Sequence, residues 1–241
     1  MRPMRCVLPM LLALLGLPLQ AAELQPFSAT YTTDSEKVPV SGTSGRALKP
    51  LGNGCWELSF EAAVLVIRFS EISTFCVDDG TFLPQTYRYQ RRSLGRSREV
   101  AQEFDWAGKQ VVGNNRGKPV RIALERGMLD NSTYQLVLQQ DVAAGKKSMS
   151  YQVVDGDEIS TYDFRVLGEE RVPTQAGWVA AIKVERVRDP AENSRKTVMW
   201  FARDWGYLLV RLHQVEEDGK EYQVMLKEGT VNGRAVKGAE E

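Results

Sequence analysis

Hydrophobic and polar positions alternate along most of this chain with a period of two. The alternation comes in short β-branched and aromatic runs, among them FSATYTT, GCWELSFEA, REVAQEFDW, EISTYDFRVL and WVAAIKVERV, separated by DDG, SLG, NNRGK, VDGD, QAG and EDG. Runs of that length with glycine in the breaks predict strands joined by tight turns, a continuous antiparallel meander. One segment departs from the period. In LDNSTYQLVLQQDVAAG, Tyr134, Leu138 and Val142 recur every four residues, Asp130 or Asn131 stands where a cap belongs, and Gly145 stands at the end. This predicts a single helix with an apolar stripe set against the sheet.

The fold class expected is therefore mainly β: a meander curved into a half-barrel or open barrel, with one short-to-medium helix packed on it. Residues 23–230 form one domain, and the tail over 231–241, with little to bury, is expected to be disordered. The stretch TVMWFARDWGYLLVRLHQV, Thr197 to Val215, holds two of the five tryptophans and the single histidine. Before RDWG, Val198, Trp200 and Ala202 share one face and Thr197, Met199 and Phe201 the other. After it, Leu208, Val210 and Leu212 oppose Tyr207, Leu209, Arg211 and His213. Apolar residues on both faces predict a hairpin covered on both sides, hence core before active site.

The amino-terminal segment changes the compartment. Arg2 and Arg5 precede an apolar run from Val7 to Leu19, followed by Ala21 and Ala22, the pattern of a secretory signal peptide over residues 1–22. The run is broken by Pro9, Gly16 and Pro18 and is shorter than the roughly 20 residues of a membrane span. A periplasmic protein is expected. Removing Arg2 and Arg5 leaves 29 basic residues against 31 acidic ones, a balance that argues against nucleic-acid binding. Removing Cys6 leaves Cys55 and Cys76, in adjacent strand-like runs; a cross-strand disulfide is favoured over a redox or metal pair, because no C-x-x-C spacing exists.

Catalytic chemistry finds little support. His213 is the only base for a triad, it lies within a strand pattern, and no G-x-S-x-G elbow is present. One histidine and two paired cysteines do not make a zinc ligand set. Asp105 in EFDW and Asp204 in RDWG sit beside aromatics as sugar-site carboxylates do, but both stand where turns place aspartate routinely. No nucleotide fingerprint, cofactor or metal site is indicated.

Two features suit binding. Arg88, Arg91, Arg92, Arg96 and Arg98 surround one hairpin turn and can hold anionic head groups or an acidic partner, although pairing with Glu99 and Glu103 is the simpler reading. The run AAVLVIRF carries no turn residue where β-strands around Leu65 must reverse. Val64, Leu65 and Val66 are expected to be buried in an irregular crossing; exposed, they would be an insertion point for a membrane or partner.

The pieces FSATYTT, SGTSGRAL, GTFLPQTYRYQR, EFDW, LDNSTYQLVLQQDVAAG, YDFRVLGEERVPTQAG and WFARDWGYLLVRLHQVEEDG together resemble a family of bacterial periplasmic proteins known mainly as a domain of unknown function. They cover nearly all of residues 23–230. One departure is Leu209, where the family has proline. The resemblance implies a fold similar to the curved half-barrel of the Lol lipoprotein carriers, with an apolar cavity between the concave sheet and the helix. Fold does not fix function. The expectation is a non-enzymatic binding or carrier protein for an amphiphile in envelope upkeep or secretion, its cavity lined by Trp56, Phe60, Tyr134, Leu138, Trp200 and Phe201. The alternatives are a protein-interaction scaffold in envelope assembly and, third, an envelope hydrolase. The partners expected are an amphiphilic ligand or an envelope protein, with peripheral membrane contact and no nucleic acid.

Overall fold

The structure, a computed structural model, describes residues 24–35, 42–64, 66–189, 191 and 193–240. The expected signal segment, residues 1–22, lies outside them. The first half of the chain forms β1 (Phe27–Ser35), β2 (Gly42–Gly52), β3 (Cys55–Val64), β4 (Ile67–Asp78), β5 (Thr81–Ser93), β6 (Arg96–Asp105), β7 (Gln110–Asn115) and β8 (Lys118–Ala123), each antiparallel to the next. A short β9 (Leu129–Asp130) leads into the helix α1 (Thr133–Ala143). The second half runs through β10 (Ser148–Asp155), β11 (Glu158–Thr174), β12 (Gly177–Val187), β13 (Lys196–Ala202), β14 (Leu208–Val215) and β15 (Glu221–Val231), with β16 (Arg234–Ala235) paired on β15.

The meanders join where β1 pairs with β15, giving one sheet that runs from β8 at one end to β9 at the other. The sheet does not close into a barrel. All pairings are antiparallel except β9 with β10. The hairpins follow from turn chemistry. Asn53-Gly54, Asp79-Gly80, Arg116-Gly117 and Asn232-Gly233 each hold two successive residues at positive φ, the two-residue turn whose twist matches that of the flanking strands. Cys55 and Cys76 face each other across β3 and β4 and are disulfide-bonded.

The helix lies in the trough of the sheet. Tyr134 stacks on Phe164 of β11, Gln139 donates to the Gly206 carbonyl just before β14, and Asp130 accepts from Ser73 of β4. Because the sheet surrounds it, α1 buries Thr133, Leu136, Leu138, Gln139 and Val142, not the single stripe expected from Tyr134, Leu138 and Val142. Phe75, Phe164 and Phe201 complete the main core, each burial contributing about 1.5–3 kcal/mol. A smaller core beneath β5–β8 is built on Tyr87, Phe104 and Val111.

Two expectations are corrected. The tail is ordered over residues 231–240: β16 pairs with β15, Val236 enters the main core, and Ala239 exchanges backbone hydrogen bonds with Trp178 of β12. The sheet edge supplies backbone partners that composition does not show. The AAVLVIRF run is not a buried crossing, since the β3–β4 ladder continues to Val64–Ile67 and the chain then reverses in two residues. Val66 projects past the last pair, 56 % exposed. Leu65 and the side chain of Val64 lie outside the described residues.

Candidate functional site

Alternation in β1–β5 sends one set of side chains into the trough. Ala29, Arg46, Phe60, Glu71 and Tyr89 follow one another across the five strands as register neighbours. Two charged residues, Arg46 and Glu71, therefore sit in this inward row, separated by a phenylalanine. Beside them a pocket of about 180 Å³ opens between the sheet and the start of α1, lined by Tyr31, Arg46, Phe60, Glu71, Ser132 and Leu209 among others.

Arg46 is 7 % exposed. Its guanidinium lies 5.7 Å from the Phe27 ring centre, and its Nη2 atom is buried without a hydrogen-bond partner. Among the described residues it forms no ion pair. Burial pushes it below the usual guanidinium range, opposed by the nearby Tyr31 and Glu71. Burial likewise raises the Glu71 carboxyl, opposed by the Tyr87 and Ser132 hydroxyls. Tyr87 donates to Glu71 Oε1 at 2.8 Å. Burial pushes the Tyr31 phenol up to about 12, and Tyr31 donates to the Leu209 carbonyl at 2.9 Å.

Asp130 sets the helix start. Its Oδ1 accepts the backbone N–H groups of Ser132 at 2.7 Å and Thr133 at 2.8 Å, while Thr133 Oγ1 accepts the Asp130 N–H. This is the reciprocal logic of a capping box, set two residues before the N-cap Ser132. Oδ2 accepts from Ser73 Oγ at 2.6 Å, which ties the helix end to β4. Burial raises the Asp130 carboxyl, and the hydrogen bonds from Ser73, Thr133 and Ser132 oppose it.

Of the six residues expected to line a cavity, Phe60 lines this pocket. Leu138 and Phe201 fill the core, and Trp56 packs partly buried against it. Tyr134 meets Tyr162 edge-on at 5.1 Å. Trp200 is turned to the face opposite Met199 and Phe201, where its indole N–H donates to Glu170 Oε1 at 2.6 Å and the Arg211 guanidinium lies 4.7 Å from its ring. The large cavity implied by a half-barrel is thus mostly occupied by α1.

The other candidates disperse. Arg88 and Arg92 share the outer face of β5, Arg91 and Arg98 are cross-strand neighbours on the inner face, and Arg96 follows the turn. The pairing expected with Glu99 and Glu103 does not form: Glu99 instead accepts from Gln90 and Ser97. Asp105 closes its own turn by accepting the Gly108 N–H at 2.8 Å, which holds its carboxyl low. Asp204 stands next to Arg203 in a surface turn, and His213 Nε2 lies 2.9 Å from Glu221 Oε2. Among the described residues no group of His, Cys, Asp and Glu gathers to hold a metal ion, and no helix is long and apolar enough to cross a membrane.

Sequence reasoning missed Arg46, Glu71 and Tyr31. Glu71 carried a signal: the inward set of β4 reads Ile67, Phe69, Glu71, Ser73, Phe75, a carboxylate among apolar positions. Arg46 carried none, because neither face of GTSGRALK is apolar.

No curated protein matches the sequence. Among solved structures the chain is similar to a beta-barrel-like protein of domain of unknown function DUF1849 from Brucella abortus, with a TM-score of 0.60 and 11 % identity over 87 % of this chain and 99 % of that one. At that identity the likeness shows the fold. Residues 57–227 match the family model described as protein of unknown function, DUF3108, and the chain belongs to that family.

Proposed function

We propose that this protein is a non-catalytic binding module of the bacterial periplasm that holds one end of an anionic amphiphile in the pocket between the sheet and α1. The observation that carries the reading is Arg46, a buried cation with an unpartnered Nη2 beside a pocket walled by Phe60, Leu209, Leu212 and Val224. A buried charge is costly unless paired. A carboxylate or phosphate entering the pocket pairs it, and the adjoining methylenes replace water on the apolar wall at about 0.8 kcal/mol each. With room for roughly six water-sized groups, the pocket takes a head or a chain end, and the rest of the amphiphile extends out of it. The signal-like residues 1–22 and the Cys55–Cys76 bond support the compartment.

Native mass spectrometry of the protein from its own cell envelope, followed by denaturing extraction, tests the reading. The expected result is a stoichiometric anionic amphiphile that Arg46→Met loses without a lower melting temperature, since exchanging a buried charge for an apolar side chain of similar size is often neutral or stabilising. An empty protein that, once delipidated, binds neither a long-chain fatty acid nor phosphatidylglycerol overturns it.

A further inference from the structure

Among the described residues five loops are two-residue turns in which both residues have positive φ. Four begin with Asn53, Asp79, Arg116 and Asn232; the fifth begins with Leu94, at φ 41. A bulky apolar residue is poorly suited to that backbone region, where asparagine and aspartate are at home. Leu94 is also 82 % exposed, more than any other large apolar residue described. Val66 stands beside it, because Ile67 pairs with Ser93 and so brings the β3–β4 and β5–β6 turns to the same end of the sheet.

Arginines surround these tips. Arg68 faces Arg92 across β4 and β5, and Arg91 faces Arg98 across β5 and β6. Like charges directly opposite destabilise a sheet. Among the described residues none of these four, nor Arg96, forms an ion pair. Among the described residues the acids beside these tips are Glu99, near Arg92, and Glu61, which lines an outer groove with Arg68 and Arg92. Five arginines against two glutamates leave the edge positive.

The cations lie on both faces. Arg91 pairs with Phe69, on the Glu71 side of β4, so Arg91 and Arg98 belong to the inner face, where their guanidinium groups lie 5.5 Å from the Phe69 ring and 5.9 Å from the Tyr89 ring. Arg68 and Arg92 belong to the outer face, over the groove that also includes Gly45. A folded partner would cover one face. A bilayer accepts an edge, with apolar tips below the phosphates and cations at phosphate level on either side. Arg91 and Arg92 precede Leu94 by two or three residues, about 7–10 Å of strand, which matches the roughly 5–10 Å to which interfacial elements penetrate.

We propose that this end of the sheet docks edge-on onto an anionic lipid bilayer, Leu94 and Val66 entering it and the arginines holding headgroup phosphates on both faces. The surface acts whether or not the interior pocket holds a ligand. Flotation of the purified protein with vesicles of phosphatidylcholine, or of phosphatidylcholine and phosphatidylglycerol in equal parts, tests it. The protein is expected to float with the anionic vesicles alone and to be released by high salt. Leu94→Asn, which suits the turn, is expected to melt no lower than wild type and to bind at least about tenfold more weakly. Arg91→Gln and Arg92→Gln should each weaken binding about fivefold. A wild-type protein that ignores both vesicle types overturns the proposal and leaves the edge to a protein partner. So does a Leu94→Asn variant that melts and binds like wild type.

Discussion

At Glu71 burial lifts the carboxyl above its ordinary 4.5, and the Tyr87 and Ser132 hydroxyls offset only part of the rise. The folded state then holds a proton that the unfolded chain has released. Its contribution to stability is full below 4.5 and is lost as pH climbs through the raised value. Asp130, raised by burial above its ordinary 3.8, acts in the same direction. Melting temperature is therefore expected to fall as pH rises above about 4 through these two groups, and Glu71→Gln should make the slope shallower. An unchanged slope in that variant would remove Glu71 from the account. The same titration bears on the pocket: a protonated Glu71 leaves Arg46 as the only charge facing it, so anion binding should be tighter on the acid side. Glu71 was legible as a misfit in an apolar face, whereas Arg46 becomes visible only once α1 and β14 cover it.

The elements were the most readable scale. Strands announce themselves by period, and Asn53-Gly54 or Asp79-Gly80 fixes where they reverse, because those residues accept positive φ locally. Asp130 and Gly145 mark the helix ends for the same reason: capping is a contact between near neighbours. The β3–β4 hairpin is stapled by Cys55 and Cys76, 21 residues apart. Replacing both with serine is expected to lower the unfolding free energy by about 3 kcal/mol, measured as a shift in the urea midpoint with little change in slope. A midpoint that does not move would mean that the ladder alone holds this pair of strands. The reversal between Val64 and Ile67 was not legible, since AAVLVIRF contains no turn former and only the ladder that runs up to that pair compels it.

For the whole molecule, the decisive contact is between strands far apart in sequence. β1 joins β15, and the tail then crosses to β12 through Trp178 and Ala239 while Val236 enters the core. Removing residues 234–241 is expected to cost roughly 2–4 kcal/mol, from one buried valine and a few backbone hydrogen bonds. Thermal and urea unfolding check it; a truncated protein as stable as the full chain would show that these contacts add nothing net. At the free β8 edge, Pro119 lacks a donor and Lys118 and Arg121 carry charge, devices that discourage edge-to-edge pairing. They weigh against β8 as a docking strand and leave the Leu94 end as the better interaction surface.

Taken alone, the sequence determined whatever depends on neighbours along the chain: the strands and their glycine turns, the single helix with its limits, and the adjacent pairing that sets Cys55 against Cys76. These follow from backbone preferences and a period that a few residues suffice to express. Only the tertiary structure decided what depends on residues distant in sequence. The helix fills the trough and reduces a cavity to a pocket, Arg46 and Glu71 share one buried row, and the tail finds partners on β12 and β15. Burial and pairing are properties of the neighbours that folding brings, and no local pattern encodes them.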